Sequence, residues 1–185
     1  MACQTPRVFL AQILCRTVLD LSRLVARLVA PMNANVQPGH PISSLFVLLR
    51  SKLTNELSES FERMLVSISK VRPWVIDPPT LVDYIDETDD AAGEQAEAHT
   101  YGAGLKLYSA LPPWGAKLPR AIDKMHYEEV KLLVDEACRL SREAGVDFYL
   151  QLDRSPIGSI RHGVPDESIQ RGLLEEWRRA VESVA

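Results

Sequence analysis

The feature that most constrains the fold of this chain is a change of hydrophobic period at Gly145. Before Gly145, apolar residues recur at intervals of three and four, which is the spacing of one face of a helix. After Gly145 they alternate with polar residues, so that Phe148, Leu150 and Leu152 share one side of an extended strand. A glycine at this point also supplies the left-handed conformation that ends many helices. A helix followed directly by a strand shows that the fold contains both kinds of element, and we expect a fold of the α+β class.

The residues around this boundary predict a helix–β-hairpin–helix unit. The first helix begins near Asp123, and a second strand over Ile157–Ile160 returns from a turn at Ser155–Pro156. Asp166 is predicted to cap a last helix whose apolar face includes Trp177. The buried face of the helix near Asp123 is predicted to comprise Ile122, Val130, Leu133, Val134, Ala137 and Leu140.

The beginning of the chain is predicted to be helical. Residues 1–31 have the apolar spacing of an amphipathic helix that packs on another helix. The proline-rich residues 32–41 end this helix and form a linker. A second long helix is predicted from Ser43 or Ser44 to the residue before Pro73. The long apolar stripe of the second helix favours an antiparallel helical hairpin with the first.

The predicted fold is therefore α+β and mostly helical, with an N-terminal helical hairpin, a helix–β-hairpin–helix unit and a small antiparallel sheet. Residues 42–185 are expected to form a single α+β domain with an acidic loop at about 83–104. The loop is predicted from composition, because residues 74–104 hold eight acids and no lysine or arginine. The formal net charge of the whole chain is only −4. The partner-binding candidates in this acidic loop are Asp83, Asp86, Glu87, Asp89, Asp90 and Glu94.

A second group of candidates lies at the ends of the predicted hairpin. Asp153, Arg154 and His162 are candidate partner-binding residues there, although aspartate and serine also favour turns because they bond to the local backbone. An alternative hypothesis is a small enzyme whose site is assembled around His162, Asp153 and Arg120, with the histidine as a base and the arginine as an anion binder. No catalytic residue is assigned by sequence pattern alone.

Several classes of site lack the residues that they require. His126 has no second histidine four residues later, so the zinc-protease helix motif is missing. The acids between residues 83 and 94 do not follow the order of an EF-hand loop. Cys3, Cys15 and Cys138 are spaced neither as zinc ligands nor as a disulfide framework, which favours free thiols in a reducing, cytoplasmic compartment. The sequence predicts neither a metal nor a cofactor, and no transmembrane segment.

The function favoured by this elimination is an acidic protein-interaction module. One form of it is an inhibitor or immunity-type protein that neutralises a basic partner such as a toxin or nuclease, because charge complementarity sets the rate and specificity of such encounters. The small enzyme is one alternative. Another is a membrane-surface or oligomerising protein that acts through the helix of residues 1–31, with formation of a homo-oligomer. A nucleic-acid partner is not predicted, since no basic face interleaved with aromatic residues is present.

Overall fold

The computed structural model describes residues 40–50, 53–86, 98–109 and 118–183, which belong to one compact unit spanning Gly39–Ala185. The predicted helix of residues 1–31 lies outside the described residues, as does nearly all of the predicted linker. The strands of the described ranges are β1 (Ile42–Leu49), β2 (Thr80–Asp86), β3 (Ala98–Tyr108), β4 (Phe148–Leu152), β5 (Ser155–Arg161) and β6 (Val164–Pro165). The helices are α1 (Asn55–Ser69), α2 (Arg120–Ala144) and α3 (Glu176–Glu182), and a π-helical segment, Ser168–Glu175, precedes α3.

The six strands form one antiparallel sheet in the order β2-β3-β1-β4-β5-β6. Strand β1 lies in the interior of the sheet, with β3 on one side and β4 on the other. Within the described ranges, the first six elements run β-α-β-β-α-β, which is the order of ferredoxin-like domains. Strands β1 and β2 are connected through α1 but separated in the sheet by β3, as the split βαβ arrangement requires.

The prediction of a mostly helical protein with an N-terminal helical hairpin and a small sheet is wrong. The described residues contain a six-stranded sheet, and Ile42–Leu49, predicted as the start of a long helix, is its interior strand β1. Helix α1 begins only at Asn55, where the Thr54 hydroxyl accepts a hydrogen bond from the Leu57 N–H at 3.3 Å. An apolar run that is buried on both sides of a sheet has no clear alternation, so its spacing also fits a helix.

The described parts of the acidic segment predicted as a loop are paired β-strands. Thr80–Asp86 pairs with Ala98–Tyr108 along its whole length, so both ends of the predicted loop at about 83–104 are strands. The glycines that suggested a loop have a packing role in β3. A Cβ atom at Gly102 would lie 2.2 Å from the Val47 carbonyl oxygen, so no larger residue fits there without a shift of the backbone.

The local elements predicted for the second half of the chain are confirmed within this larger sheet. Helix α2 ends at Gly145, which has a φ of 66° and the left-handed cap conformation. Strands β4 and β5 pair antiparallel with Phe148 opposite Ile160, and both side chains are buried. The turn between these strands is Asp153–Arg154, two residues before the predicted position. All six residues predicted for the buried face of α2 are buried: Ile122, Val130, Leu133, Val134, Ala137 and Leu140.

The main core lies between the sheet and helices α1 and α2. Phe61 of α1 is at its centre, with its ring 5.6 Å from that of Tyr101 in β3 and 5.9 Å from that of Phe148 in β4. Leu45 and Val47 of β1 belong to the same cluster. None of the helices in the described ranges has the combination of length and apolar character needed to cross a bilayer.

The C-terminal helix is fixed to the first turns of α2 by two polar contacts and one aromatic contact. The Trp177 indole N–H donates to an Asp123 carboxylate oxygen at 2.7 Å. The same indole makes an edge-to-face contact with Tyr127, with ring centroids 6.2 Å apart. The Arg120 Nε–H donates to the Val181 carbonyl oxygen at 2.9 Å, which satisfies a free carbonyl group at the end of α3.

Candidate functional site

Two of the six acidic candidates lie in the edge strand of the sheet. Asp83 lies in β2, the edge strand, and is exposed, and Asp86 is the last residue of that strand. The remaining four acidic candidates, Glu87, Asp89, Asp90 and Glu94, lie outside the described residues. Because they are in the segment that joins β2 to β3, all six acids belong to one hairpin.

Asp153 has a structural role at the turn between β4 and β5. Its φ of 53° places it in the left-handed region, which aspartate tolerates better than most residues. Its carboxylate accepts a hydrogen bond from the Ser44 N–H at 2.8 Å, and its own N–H donates to the Ser44 carbonyl oxygen at 2.7 Å. These bonds hold the turn on β1. Arg154, the next residue, is exposed.

His162 lies at the other end of β5 and does not meet Asp153. The seven residues of β5 separate the two turns by about 20 Å of extended chain. His162 is exposed with a φ of 50°, and the Gly163 N–H that follows donates to the Ser141 hydroxyl of α2 at 2.9 Å. Arg120 is engaged with the end of α3. The structure therefore does not bring together the three residues of the alternative enzyme site.

A buried polar pair lies in α2, formed by His126, which the sequence analysis considered only as part of a zinc motif, and Glu129, which it did not consider. His126 and Glu129 are 0% and 1% exposed, and the His126 Nδ1 lies 2.9 Å from a Glu129 carboxylate oxygen. The His126 Nε2 accepts the Tyr108 N–H at 3.1 Å, so this nitrogen carries no proton and Nδ1–H is the donor to Glu129. The second Glu129 oxygen accepts the Val75 N–H at 2.5 Å.

This pair joins three parts of the domain and is closed to solvent. It links α2 to the end of β3 and to the segment that follows α1. Every polar atom of the two side chains is engaged, so no position is left for a substrate atom to bind. A buried polar network of this kind specifies the position of neighbouring elements when all its members are satisfied. We therefore interpret His126 and Glu129 as structural residues.

Asp166 organises the start of the C-terminal helical region. One carboxylate oxygen accepts the Ile169 N–H at 3.1 Å, and the other accepts the Ser159 N–H at 2.6 Å and the Ser159 hydroxyl at 3.1 Å. Burial alone would raise the pKa of Asp166, but these hydrogen bonds outweigh it and hold the pKa below its usual value. A Cβ atom at Gly158 would lie 2.4 Å from this carboxylate, so glycine is required beside it.

The described residues offer few other reactive groups. Among residues 40–50, 53–86, 98–109 and 118–183, no group of three or more histidine, cysteine or acidic residues is arranged to hold a metal ion. Cys138 is half-buried, and burial together with the nearby Asp135 carboxylate raises the pKa of its thiol. A raised pKa disfavours the thiolate, which is the nucleophilic form of cysteine.

Comparison of the chain with protein-family models, with curated proteins and with solved structures found no match. A ferredoxin-like order of elements does not indicate an activity, because one architecture supports many unrelated functions. The function must therefore be argued from the surface and the cavities of this molecule.

Proposed function

We propose that this protein is an acidic protein-interaction module that binds a basic partner through its β2–β3 hairpin. The observation that carries the proposal is the position of β2 at the edge of the sheet. All seven residues of β2 pair with β3 on one side, and no strand of the described ranges pairs with its other side. Unpaired N–H and C=O groups along a strand edge are a template for the addition of a strand from another protein.

The opposite edge of the sheet is much less suited to strand addition. Strand β6 has only two residues, Val164 and Pro165. A proline has no N–H to donate, and very short edge strands are a common protection against unwanted pairing. This asymmetry between the two edges favours β2 as the interaction edge.

The side chains of the hairpin support a basic, partly apolar partner segment. Leu81 is 41% exposed on β2, and Val82 beside it is half-buried. Asp83 and Asp86 add negative charge to the same strand, and residues 74–104 contain no lysine or arginine. An acidic surface of this kind accelerates encounter with a cationic partner, and the strand edge then supplies short-range contacts.

The partner class is a basic protein such as a toxin or a nuclease, with this chain as its inhibitor or immunity-type protein. The setting we propose is the cytoplasm, in line with three cysteines whose sequence spacing suits neither zinc binding nor a disulfide framework. The alternative hypothesis of a small enzyme is weakened, because Asp153 and His162 lie in separate turns at opposite ends of β5. This also favours the interaction module.

The experiment begins with capture of partners from the native source by cross-linking, followed by association rates across a salt series. A variant that neutralises Asp86, Glu87, Asp89 and Asp90 to the corresponding amides should associate more slowly and depend less on salt, because screening acts on these charges. The Leu81→Ala variant should instead raise the dissociation rate, since it removes a short-range apolar contact.

A matched control removes the same amount of charge elsewhere. Glu59, Glu143, Glu167 and Glu182 are exposed helical acids outside the hairpin, each paired with an arginine four residues away. Their fourfold replacement by glutamine changes the net charge equally and should slow association much less. Equal effects of the two fourfold variants would reject the hairpin as the binding site. Failure to capture any basic protein would reject the proposed partner class.

A further inference from the structure

A cavity of about 310 Å³ lies between one end of the sheet and the C-terminal helical region. It is bounded by residues of strands β1, β3, β4 and β5, by α2, and by the helical residues that precede and begin α3. Protein interiors are packed about as densely as organic crystals, and voids larger than a water molecule are few. A cavity of this size is within the range of small-ligand pockets.

The wall of this cavity is mainly hydrophobic. Aliphatic side chains from six different elements line it, namely Leu45, Leu107, Val130, Leu152, Ile157 and Leu173. Asp123 and Trp177 also contribute, but the hydrogen bond between them already engages one oxygen of the carboxylate and the indole N–H. The lining is therefore suited to an uncharged molecule, because a charged group would lose its hydration without a partner.

One polar group in the wall lacks a partner. Ser43 is 8% exposed, lies on the side of β1 that faces the core, and lines the cavity. Its hydroxyl makes no hydrogen bond to any of the described residues, in contrast to the hydroxyls of Ser141 and Ser159. The Ser43 hydroxyl reaches the cavity and is not fully buried, so it can exchange its contact with solvent for a hydrogen bond to an oxygen or nitrogen atom of a ligand.

The C-terminal helical region forms part of the cavity wall. Trp177 is held by Asp123, and Arg120 donates to the Val181 carbonyl oxygen, so two polar contacts fix this wall at a set distance from α2. This side of the cavity wall is therefore anchored to α2.

We propose that this cavity binds a neutral, mostly apolar small molecule that carries one hydrogen-bonding oxygen, with Ser43 as the residue that recognises the oxygen. An apolar cavity of about 150 Å³ takes up benzene, so a cavity of 310 Å³ holds roughly twelve non-hydrogen atoms by proportion. This is the size of an aromatic ring with a short side chain, or of a medium-length acyl group. None of the described residues that line the cavity belongs to β2, so the site is separate from the β2 edge.

The test uses two probes that differ in one oxygen atom, 4-phenylbutan-2-one and butylbenzene. Binding is followed in the full chain by NMR of the Trp177 indole N–H, which lines the cavity, and by the shift in melting temperature. Ser43→Ala should weaken binding of the ketone by about 2- to 12-fold, the range expected for the loss of one hydrogen bond, and leave butylbenzene unaffected. Ser44→Ala is the matched control, since it changes the neighbouring hydroxyl on the opposite face of β1.

A cavity-filling variant completes the design. Leu173→Phe adds volume to the wall and should reduce the affinity for both probes by at least about tenfold, because the ligand then overlaps the new ring. Absence of saturable binding by either probe would overturn the proposal. Binding that Leu173→Phe does not reduce would overturn it as well, because the probes would then occupy another place. An equal effect of Ser43→Ala on both probes would overturn the role of the hydroxyl.

Discussion

The Nδ1–H of His126 donates to the carboxylate of Glu129 at 2.9 Å, and both side chains are almost completely buried. Glu129 also accepts the Val75 N–H, and His126 accepts the Tyr108 N–H. A carboxylate in the core is tolerated only when its oxygens are hydrogen-bonded. The pair therefore stabilises the domain only as long as all three hydrogen bonds are present.

Removal of the Glu129 carboxylate should be strongly destabilising. In Glu129→Ala, the N–H groups of Val75 and His126 both lose their acceptor in the core, and the free energy of unfolding should fall by about 2–6 kcal/mol. Glu129→Gln keeps one acceptor oxygen and should lose about half as much. Urea unfolding measures both values. The control is Glu128→Ala, whose partly exposed ion pair with Arg72 should be worth about 1 kcal/mol or less; similar losses at both positions would contradict this account.

Truncation of Phe148 should also cost much of the stability of the domain. Phe148 is 0% exposed and packs against Phe61, so Phe148→Ala should lower the free energy of unfolding by about 3–5 kcal/mol. Val66→Ala, at a position that is 54% exposed on α1, should change it by no more than about 0.5 kcal/mol. Denaturant unfolding of the two variants measures both changes in the free energy of unfolding. A loss below about 1 kcal/mol for Phe148→Ala would mean that the sheet does not bury this residue.

The lowered pKa of Asp166 predicts a loss of stability in acid. A carboxyl group whose pKa is lower in the folded state stabilises the protein above its unfolded pKa of about 3.9, and the contribution disappears as the pH falls through the folded pKa. Asp166→Asn should lose about 1–2 kcal/mol at pH 7, the difference between hydrogen bonds to charged and to neutral acceptors. Its stability should vary less with pH below 4 than that of the wild type.

Unfolding curves from pH 7 to pH 2 measure this effect, and Glu167→Gln provides the comparison. Glu167 is the neighbouring acid, but it is exposed and pairs only with Arg171 across one helical turn. Its variant should follow the wild-type profile. If the Asp166→Asn and wild-type profiles were parallel, the hydrogen bonds to Asp166 would not depend on its charge.

The fluorescence of Trp177 should report the attachment of the C-terminal helix. Because the indole is half-buried and bonded to Asp123, iodide should quench it poorly in a variant that retains no other tryptophan. Asp123→Ala removes the acceptor and should increase quenching of Trp177 with little change in the urea midpoint of the core, since Phe61 and its neighbours are untouched. If iodide readily quenched Trp177 while Asp123 is still present, the tryptophan would lie on a binding surface and the helix would not be anchored by it.

The second half of the fold was predictable because its elements have clear periods and end signals. The alternation from Phe148 to Leu152 is that of a strand with one face in the core, and Gly145 marks the end of α2. The buried face of α2 follows directly from spacing. The predicted position of the turn was two residues too late in the chain. Asp153 and Arg154 are as compatible with a turn as Ser155 and Pro156 are, so composition did not distinguish the two positions.

The first half was not predictable because its strands lack these signals. Strand β1 carries apolar residues on both faces, as an interior strand does, and Phe46, Leu49 and Leu57 happen to fit helical spacing. In β3, Gly102 and Gly104 resemble loop residues. They are small because Val47 and Leu48 approach the first, and the ring of Phe46 lies 3.3 Å from where a Cβ atom of the second would be.

The buried polar pair could have been predicted from the positions of its two residues in the sequence. His126 and Glu129 fall within the apolar stripe of α2, between Ile122 and Leu133, at the same spacing of three and four. A polar residue at a core position indicates a buried hydrogen-bonded partner. The order of the acids between residues 83 and 94 gave no indication that two of them, Asp83 and Asp86, lie on an edge strand.

The interior position of β1 has a consequence for how the protein is made. Val47 pairs with Leu150, which the ribosome adds 103 residues later. At about 5–20 residues per second, the completed apolar strand waits roughly 5 to 20 seconds for this neighbour. During that interval Ile42–Leu49, which has no charged residue, is exposed as a segment prone to aggregation. Production of this protein should therefore depend on molecular chaperones, or on slow synthesis at low temperature, more than its final stability would suggest.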